Sequence, residues 1–487
     1  MNRSLTEGTR LLRCRTLVAD AASRPLADAG VLVDGGTVVR VAPFTELADL
    51  VPRARTDELD GVVLPAFTDA HSHLRALPLS EQGVADADLE TWVVRLTGTT
   101  ALDPGDDALA AADGLAATGV TTVQAIHHTF AGPREYAATV AAVAEALALA
   151  GLRAELAVGL TDQAEFLPEP RPVPPRDSPA PATRPPAAPA LTDPPRRGVG
   201  PAQLPPMLAG LFRSADRPAG VRIAVAPVAP QWCSEDALSV LRRCTAAGVR
   251  LHTHLLESRR QRGWLGGEDP VTRLDRHGLL GPDASAAHGV WLTEAEAALL
   301  AARGTALVHC PTSNLRLGSG DARVRSWLDA GVTVALGMDS QHQGPPDMFA
   351  EMRAALTTAE RVGGPLTPRQ VLAMATEGGA AATGHTGRLG RLAPGYRADL
   401  VCVTAPPGPD PVERVVQEAT YRDVSDVLCG GRTLVSAGVT ARRADADAAR
   451  GRLRAALAAD RDARAERMTA VAAREASLRG LLDGGEG

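Results

Sequence analysis

At 487 residues the chain has room for one large domain and a smaller unit. Its 45% hydrophobic content is that of a globular protein, yet only 3% of residues are aromatic, so Ala, Val and Leu must build the core. A net charge of −6 without strong blocks gives no electrostatic basis for nucleic-acid or membrane partners, and no apolar run reaches spanning length.

The opening stretch, MNRSLTEGTRLLRCRTLVAD, lacks the continuous apolar core of a signal peptide. Residues 9–60 read as short strands, LLRCRTLVAD and GVLVDGGTVVRVAP, with Asp34-Gly35 as a hairpin signal. Eight apolar runs follow, separated by helical patterns: GVVLPAF (61–67), TTVQAIH (121–127), RAELAVGL (153–160), VRIAVAPVA (221–229), VRLHTH (249–254), SAAHGV (285–290), TALVHC (305–310) and TVALGMD (333–339). Continuous rather than alternating apolarity fits parallel strands covered on both faces. Eight strand–helix units predict an α/β fold, a (β/α)8 TIM barrel over residues 61–387. Residues 165–206 hold 15 of the 37 prolines and few large apolar side chains. They are expected to form a Pro-rich insertion after strand three, either a lid over the catalytic face or a solvated spacer. ADLVCVTA (398–405) and VSDVLCGGRTLVSAGVT (424–440) read as further short strands, and 441–487 as a helical tail on the surface or on another subunit.

Six residues stand at or just past the ends of the barrel runs: His71 and His73 in LPAFTDAHSHL, His254 and Glu257 in LHTHLLES, His288 in AAHGVWL, and Asp339 in VALGMDS. Catalytic residues of such barrels cluster at the C-terminal ends of different strands. Three imidazoles and a carboxylate suit a divalent ion, with one position left for water. His71 and His73 lie two apart on extended chain, so their side chains share a face. His252 stands two before His254 and competes with it as a ligand. Asp339 also reads as a helix N-cap, and His288 as a satisfied core histidine.

This set resembles the amidohydrolase superfamily, in particular the aminohydrolases of N-heterocycles: the guanine, cytosine and S-adenosylhomocysteine deaminases, with the triazine hydrolases. That pattern is His-x-His after strand one, His-x-x-Glu at strand five, a histidine after strand six and an aspartate after strand eight. HCPTSNLRLGSG (309–320), DMFAEMRAAL (347–356) and GRLGRLAPGYRADLVCV (387–403) are similar to family text as well, so the likeness covers roughly residues 5 to 440. It implies that residues 1–60 and 388–440 pair into one small β-sandwich built from both chain ends. It implies His71, His73, His254 and Asp339 as metal ligands, with His252 left in the barrel interior. Asp339 is then placed to take a proton from the attacking water. Glu257 protonates the ring nitrogen and then the leaving amine, and His288 orients the water and stabilises the tetrahedral intermediate. Trp92 falls where related enzymes place a tryptophan near the mouth; Gln124, His128 and Asn314 are the other candidate substrate contacts. Arg75, His127, His309 and His342 lie close in sequence to the same strand ends.

All 51 basic residues are arginine. A carboxylated lysine bridging two metals, found in many superfamily members, is impossible here, so one ion per chain is expected, zinc first and iron as the other candidate. Schiff-base chemistry and a P-loop are excluded on the same ground. The six cysteines are scattered without CxxC spacing, which predicts reduced thiols and a cytoplasmic location. The expected activity is a metal-dependent hydrolase removing ammonia from an N-heterocycle or amidine-type C=N carbon of a small molecule. The alternatives are a cyclic amide hydrolase, a triazine chloro- or alkylamino-hydrolase, and a catalytically silent binding protein. A homodimer is a candidate assembly.

Overall fold

The computed structural model describes residues 8–129, 132–163, 199–213, 218–265, 268–340, 344–404 and 408–483. Two eight-stranded sheets organise them. The chain begins in the first with β1 (Arg10–Leu17), β2 (Leu26–Asp34), β3 (Thr37–Pro43) and β4 (Thr56–Pro65). β2 and β3 form the expected hairpin across Gly35-Gly36.

The second sheet is the barrel: β5 (Phe67–Ser72), β6 (Val120–His127), β7 (Arg153–Leu160), β8 (Val221–Pro227), β9 (Leu251–Leu255), β10 (Ala284–His288), β11 (Ala306–His309) and β12 (Val334–Leu336). Every neighbouring pair is parallel and in sequence order. Seven of the eight runs read from the sequence coincide with these strands to within a few residues. The first does not. GVVLPAF lies mostly in β4, which pairs with β1 and with a C-terminal strand of the small sheet, and the first barrel strand starts at Phe67. The chain crosses from one sheet to the other at Ala66 with no loop, so the apolar run shows no break there.

The C-terminal strands β13 (Leu400–Val403), β14 (Val424–Cys429), β15 (Arg432–Ser436) and β16 (Val439–Thr440) complete the small sheet. Its order is β16-β15-β14-β13-β4-β1-β2-β3, so the two chain ends meet where β13 pairs with β4. Its strands are hydrogen-bonded as one continuous mixed sheet. β1 and β4 are its parallel pair.

Helices are delimited by their ends. Asp103 caps the helix Pro104–Ala117, which has proline in its first turn, and Thr293 with Glu296 forms a reciprocal capping box on Glu294–Arg303. With few aromatics available, small aliphatic side chains fill the interior; the edge-to-face pair Phe67–Phe349, centroids 5.3 Å apart, is an exception. Two C-terminal helices, Arg443–Ala459 and Arg461–Asp483, pack on the barrel flank. The second braces the helix Leu89–Leu96 through the bidentate pair Arg95–Glu475, at 2.8 and 2.9 Å.

Most of the Pro-rich stretch 165–206 lies outside the described residues. Its end does not: Val199 and Leu204 are buried, and Leu204 opens the helix Leu204–Arg213, so that end contributes to the core. Among the described residues no helix is long and apolar enough to cross a membrane.

Candidate functional site

The barrel closes at the site itself. β5 and β12 are joined where Asp339 N donates to His71 O at 2.8 Å and His73 N donates to Asp339 O at 3.0 Å. The seam that completes the cylinder therefore brings the His-x-His pair and Asp339, 266 positions apart at the closest, into contact. His254 arrives from β9, on the far side of the barrel from the β5–β12 seam. One ligand-capable atom from each of His71, His73, His254 and Asp339 lies within 4.8 Å of the others.

Hydrogen bonds orient the rings. His254 Nδ1–H donates to the Val228 carbonyl at 2.7 Å, which leaves a lone pair on Nε2. His71 Nδ1 lies 2.8 Å from His252 Nε2, and His252 Nδ1 lies 2.8 Å from Ser285 Oγ. The chain is satisfied when His71 donates to His252 and His252 to Ser285, leaving His71 Nε2 with its lone pair as well. That buried nitrogen has no hydrogen-bond partner. His73 Nε2 sits 3.2 Å from His254 Nε2 and 3.2 Å from Asp339 Oδ1. Converging lone pairs beside a carboxylate repel unless a cation lies among them. This donor set fits a divalent ion held by three imidazole nitrogens and one carboxylate oxygen.

The electrostatics agree. Burial lowers the His71 pKa to about 4 and that of His254 well below its ordinary value, so both rings are neutral, as ligands must be. Burial opposes ionisation of Asp339, but the adjacent His71 and His73 rings, 3.4 and 3.2 Å from its Oδ1, outweigh it and hold the pKa well below the carboxylate range. Ser313 donates a hydroxyl hydrogen bond to the other oxygen of Asp339.

Glu257 and His288 stand beside this group. Glu257 Oε2 is 3.6 Å from His288 Nε2, and Ser319 Oγ donates to Glu257 Oε1 at 3.5 Å. Burial raises the Glu257 pKa to about 7; the Asp339 and Glu90 carboxylates push the same way, against His288. A carboxyl group poised near neutrality suits proton donation. The backbone is strained here: Leu74, Leu256, His288 and Asp339 all have φ between 47° and 72°, a region costly for any residue with a Cβ. Such strain is retained where the surroundings over-determine it.

A cavity of about 530 Å³ opens over His73, His254, Glu257 and Asp339. Leu74, Leu89, Trp92, Leu96, Leu102 and Trp232 supply an apolar part of its wall, and polar groups enter from Arg75, Gln82, Thr97, Thr99, Thr100, Asp107, His127 and His128. Trp92 and His128 are thus at the cavity, as a substrate contact must be. Gln124 and Asn314, the other candidate substrate contacts, do not line it. Gln124 is buried below the site, where Nε2 donates to Ala70 O and Ser285 Oγ and touches His252. It supports the ring that supports His71. Asn314 accepts from His288 Nδ1 at 2.9 Å and is likewise enclosed. His309 points away from the lumen, its ring against Trp327 at 6.2 Å. His342 lies outside the described residues. Sequence reasoning passed over Ser285, Ser313 and Asp107; a lone serine, or an acid in the first turn of a helix, carries no signal without the fold.

Comparison with known proteins follows the same lines. Residues 62–434 match the model of the amidohydrolase family. The 5-methylthioadenosine/S-adenosylhomocysteine deaminase of Moorella thermoacetica is 38% identical over 226 residues, 44% of this chain and 53% of that protein. The 5'-deoxyadenosine deaminase of Methanothermobacter thermautotrophicus is 36% identical over 235 residues, 45% of this chain and 54% of its own. The matched stretch thus spans about half the length of these relatives. A zinc-bound adenosine deaminase from Xanthomonas campestris superposes with TM-score 0.74 at 25% identity, covering 91% of this chain and 98% of the other. The atrazine chlorohydrolase of Arthrobacter aurescens TC1, complexed with zinc, gives 0.75 at 24% identity over 90% and 99%, a likeness of fold.

Proposed function

This chain belongs to the amidohydrolase family, and on that premise we propose that it hydrolyses an amino-substituted N-heterocycle or amidine-type C=N carbon, releasing ammonia. The observation that supports the reading is the convergence of His71, His73, His254 and Asp339 within 4.8 Å, with Glu257 and His288 beside them on one cavity. His71, His73, His254 and Asp339 are the residues that would hold the ion, zinc in this reading because related zinc-bound structures share the fold. When bound, such an ion lowers the pKa of a water at its open position.

The chain's own groups do the rest. Asp339 accepts a proton from the attacking water. His288, its Nδ1 committed to Asn314, presents Nε2 toward Glu257 and orients that water. Glu257 in its acid form gives a proton to the ring nitrogen next to the attacked carbon, then relays one to the departing amine. Water oxygen bonds to carbon, the carbon–nitrogen bond breaks, and the products are a carbonyl compound and ammonia. The apolar wall with Trp92 and Trp232 packs on a planar ring and excludes bulk water.

Ammonia release by the metal-loaded protein on a panel of aminopurines, aminopyrimidines, aminotriazines and guanidino compounds tests this. Turnover of any member that disappears in Glu257→Gln supports it. Release of chloride or alkylamine from a triazine, or ring opening of a cyclic amide, with no ammonia from any member, would replace it with the other displacement chemistry. No turnover of any kind with the ion in place would leave a binding protein.

A further inference from the structure

Arg75 is the one arginine or lysine among the described residues that line the cavity, two positions after His73. Its Nε is buried with no hydrogen-bond partner. Burial lowers its pKa, while Asp107 and Asp339 raise it through charge alone, without a hydrogen bond. A guanidinium stays protonated at any working pH, so this is a partly buried cation facing the cavity, with no ion pair to it among the described residues. Asp107 does not fill that role. Its Oδ1 accepts from Ala76 N at 2.7 Å, and among the described residues no ion pair joins it to Arg75.

We propose that Arg75 binds a carboxylate carried by the substrate, so that the heterocycle turned over in the cavity is an acid. The proposal rests on the hydrolase reading above and names its substrate class. Two features favour a carboxylate over a phosphate. The guanidinium fork matches a planar two-oxygen group. Asp107 and Asp339 share the cavity and oppose a second negative charge.

The test is titration calorimetry on the metal-loaded protein with matched pairs: 2-aminopyrimidine-5-carboxylate against its carboxamide, and adenosine-5'-carboxylate against its carboxamide. Adenosine 5'-monophosphate is the phosphate arm. The wild type is expected to bind at least one acid about tenfold or more tighter than its amide, the worth of a charge-assisted pair. Arg75→Met should bring the ratio close to one with metal content and thermal midpoint unchanged, and Arg75→Lys should restore part of it. Equal affinity for acid and amide in the wild type, no binding of either acid, or preference for the monophosphate overturns the proposal. So does an acid preference that survives in Arg75→Met, since the carboxylate then sits on the ion. Ammonia is measured separately on the same pairs. Acid-selective binding with no ammonia defeats the deamination reading and leaves Arg75 assigned; equal turnover of acid and amide does the reverse.

Discussion

His288 Nδ1–H donates to Asn314 Oδ1 at 2.9 Å, and this bond decides what the cavity side of the imidazole can do. With Nδ1 carrying the proton, neutral His288 presents a lone pair at Nε2, 3.6 Å from Glu257 Oε2. The ring can therefore accept a hydrogen bond from water and becomes a donor only after gaining a proton. Asn314 stands next to Ser313, which holds Asp339, and five residues before Ser319, which reaches Glu257. One short segment after β11 thus braces three of the proposed catalytic groups from behind.

Replacing Asn314 by Leu should leave the ion bound and lower kcat by about 10–100-fold, the usual cost of losing a group that orients a site residue. The informative readout is the pH–rate profile. Loss of the Nδ1 acceptor frees the tautomer of His288, so the profile should change shape as well as height. A uniform fall at every pH, with an altered thermal midpoint, would mean that Asn314 only fills space.

Glu257→Gln should retain metal and fold and lower turnover by about 10²–10⁴-fold, the range of a general acid–base step. The pH dependence has a definite sign. Burial raises the folded pKa from 4.5 to about 7, so the protonated form is favoured in the native state. The stability this group contributes is complete below pH 4.5 and is lost as pH rises toward 7. Catalysis that uses the acid form should likewise decline above about pH 7. Glu257→Gln should lack that decline and should melt higher than the wild type above pH 7, the two converging below pH 5. A variant that keeps the same limb would assign it to another group.

One ion per chain is expected by elemental analysis, because four ligand atoms converge and no lysine exists to bridge a pair. His71→Ala, His73→Ala and His254→Ala should each lose the ion and the activity together. Chelation should lower the thermal midpoint by mass action, reversibly on adding zinc. Two tightly held ions per chain would defeat the mononuclear assignment.

The metal candidates were legible in the sequence because each is tied to a strand end and a fixed spacing, and parallel strand order converts those ends into one face. His254 over His252 was legible only through the position of Glu257; the structure separates them by ring environment, His252 lying under His71 and His254 on the cavity. Gln124 and Asn314 lie off the cavity, a placement hidden in the sequence because proximity to a strand end says nothing about which way a side chain projects. Gln124 projects into the lumen beneath the ligands, and Asn314 sits on a helix turned toward His288. The β4–β5 boundary was hidden because a chain leaving one buried sheet for another without a loop keeps its apolar pattern. The Arg75 environment depends on walls supplied by distant segments, including the helix Leu89–Leu96 and the loop around Leu317, which no local spacing encodes.

Gly337 gives a test of how tightly the seam sets the site. It follows β12 directly and lies against β5; a Cβ there would stand 2.7 Å from His71 Cβ, 3.0 Å from His71 N and 2.9 Å from Val308 Cγ1. Two of these contacts are with a residue whose ring is already fixed by His252 on one side and the proposed ion on the other, so neither can yield without moving the imidazole. Gly337→Ala should therefore weaken metal affinity, by about 10–100-fold if the His71 ring is displaced as removal of its supporting groups would displace it. Gly451→Ala is the control: it lies in the helix Arg443–Ala459 with nothing within 4 Å of the added carbon, and should stabilise by about 0.5–1 kcal/mol through helix propensity. Competition against a zinc-binding dye measures the first variant, and thermal unfolding both. If Gly337→Ala binds zinc like the wild type, the seam has slack that the close packing at His71 denies, and His71 is not held at the ion by the β5–β12 junction.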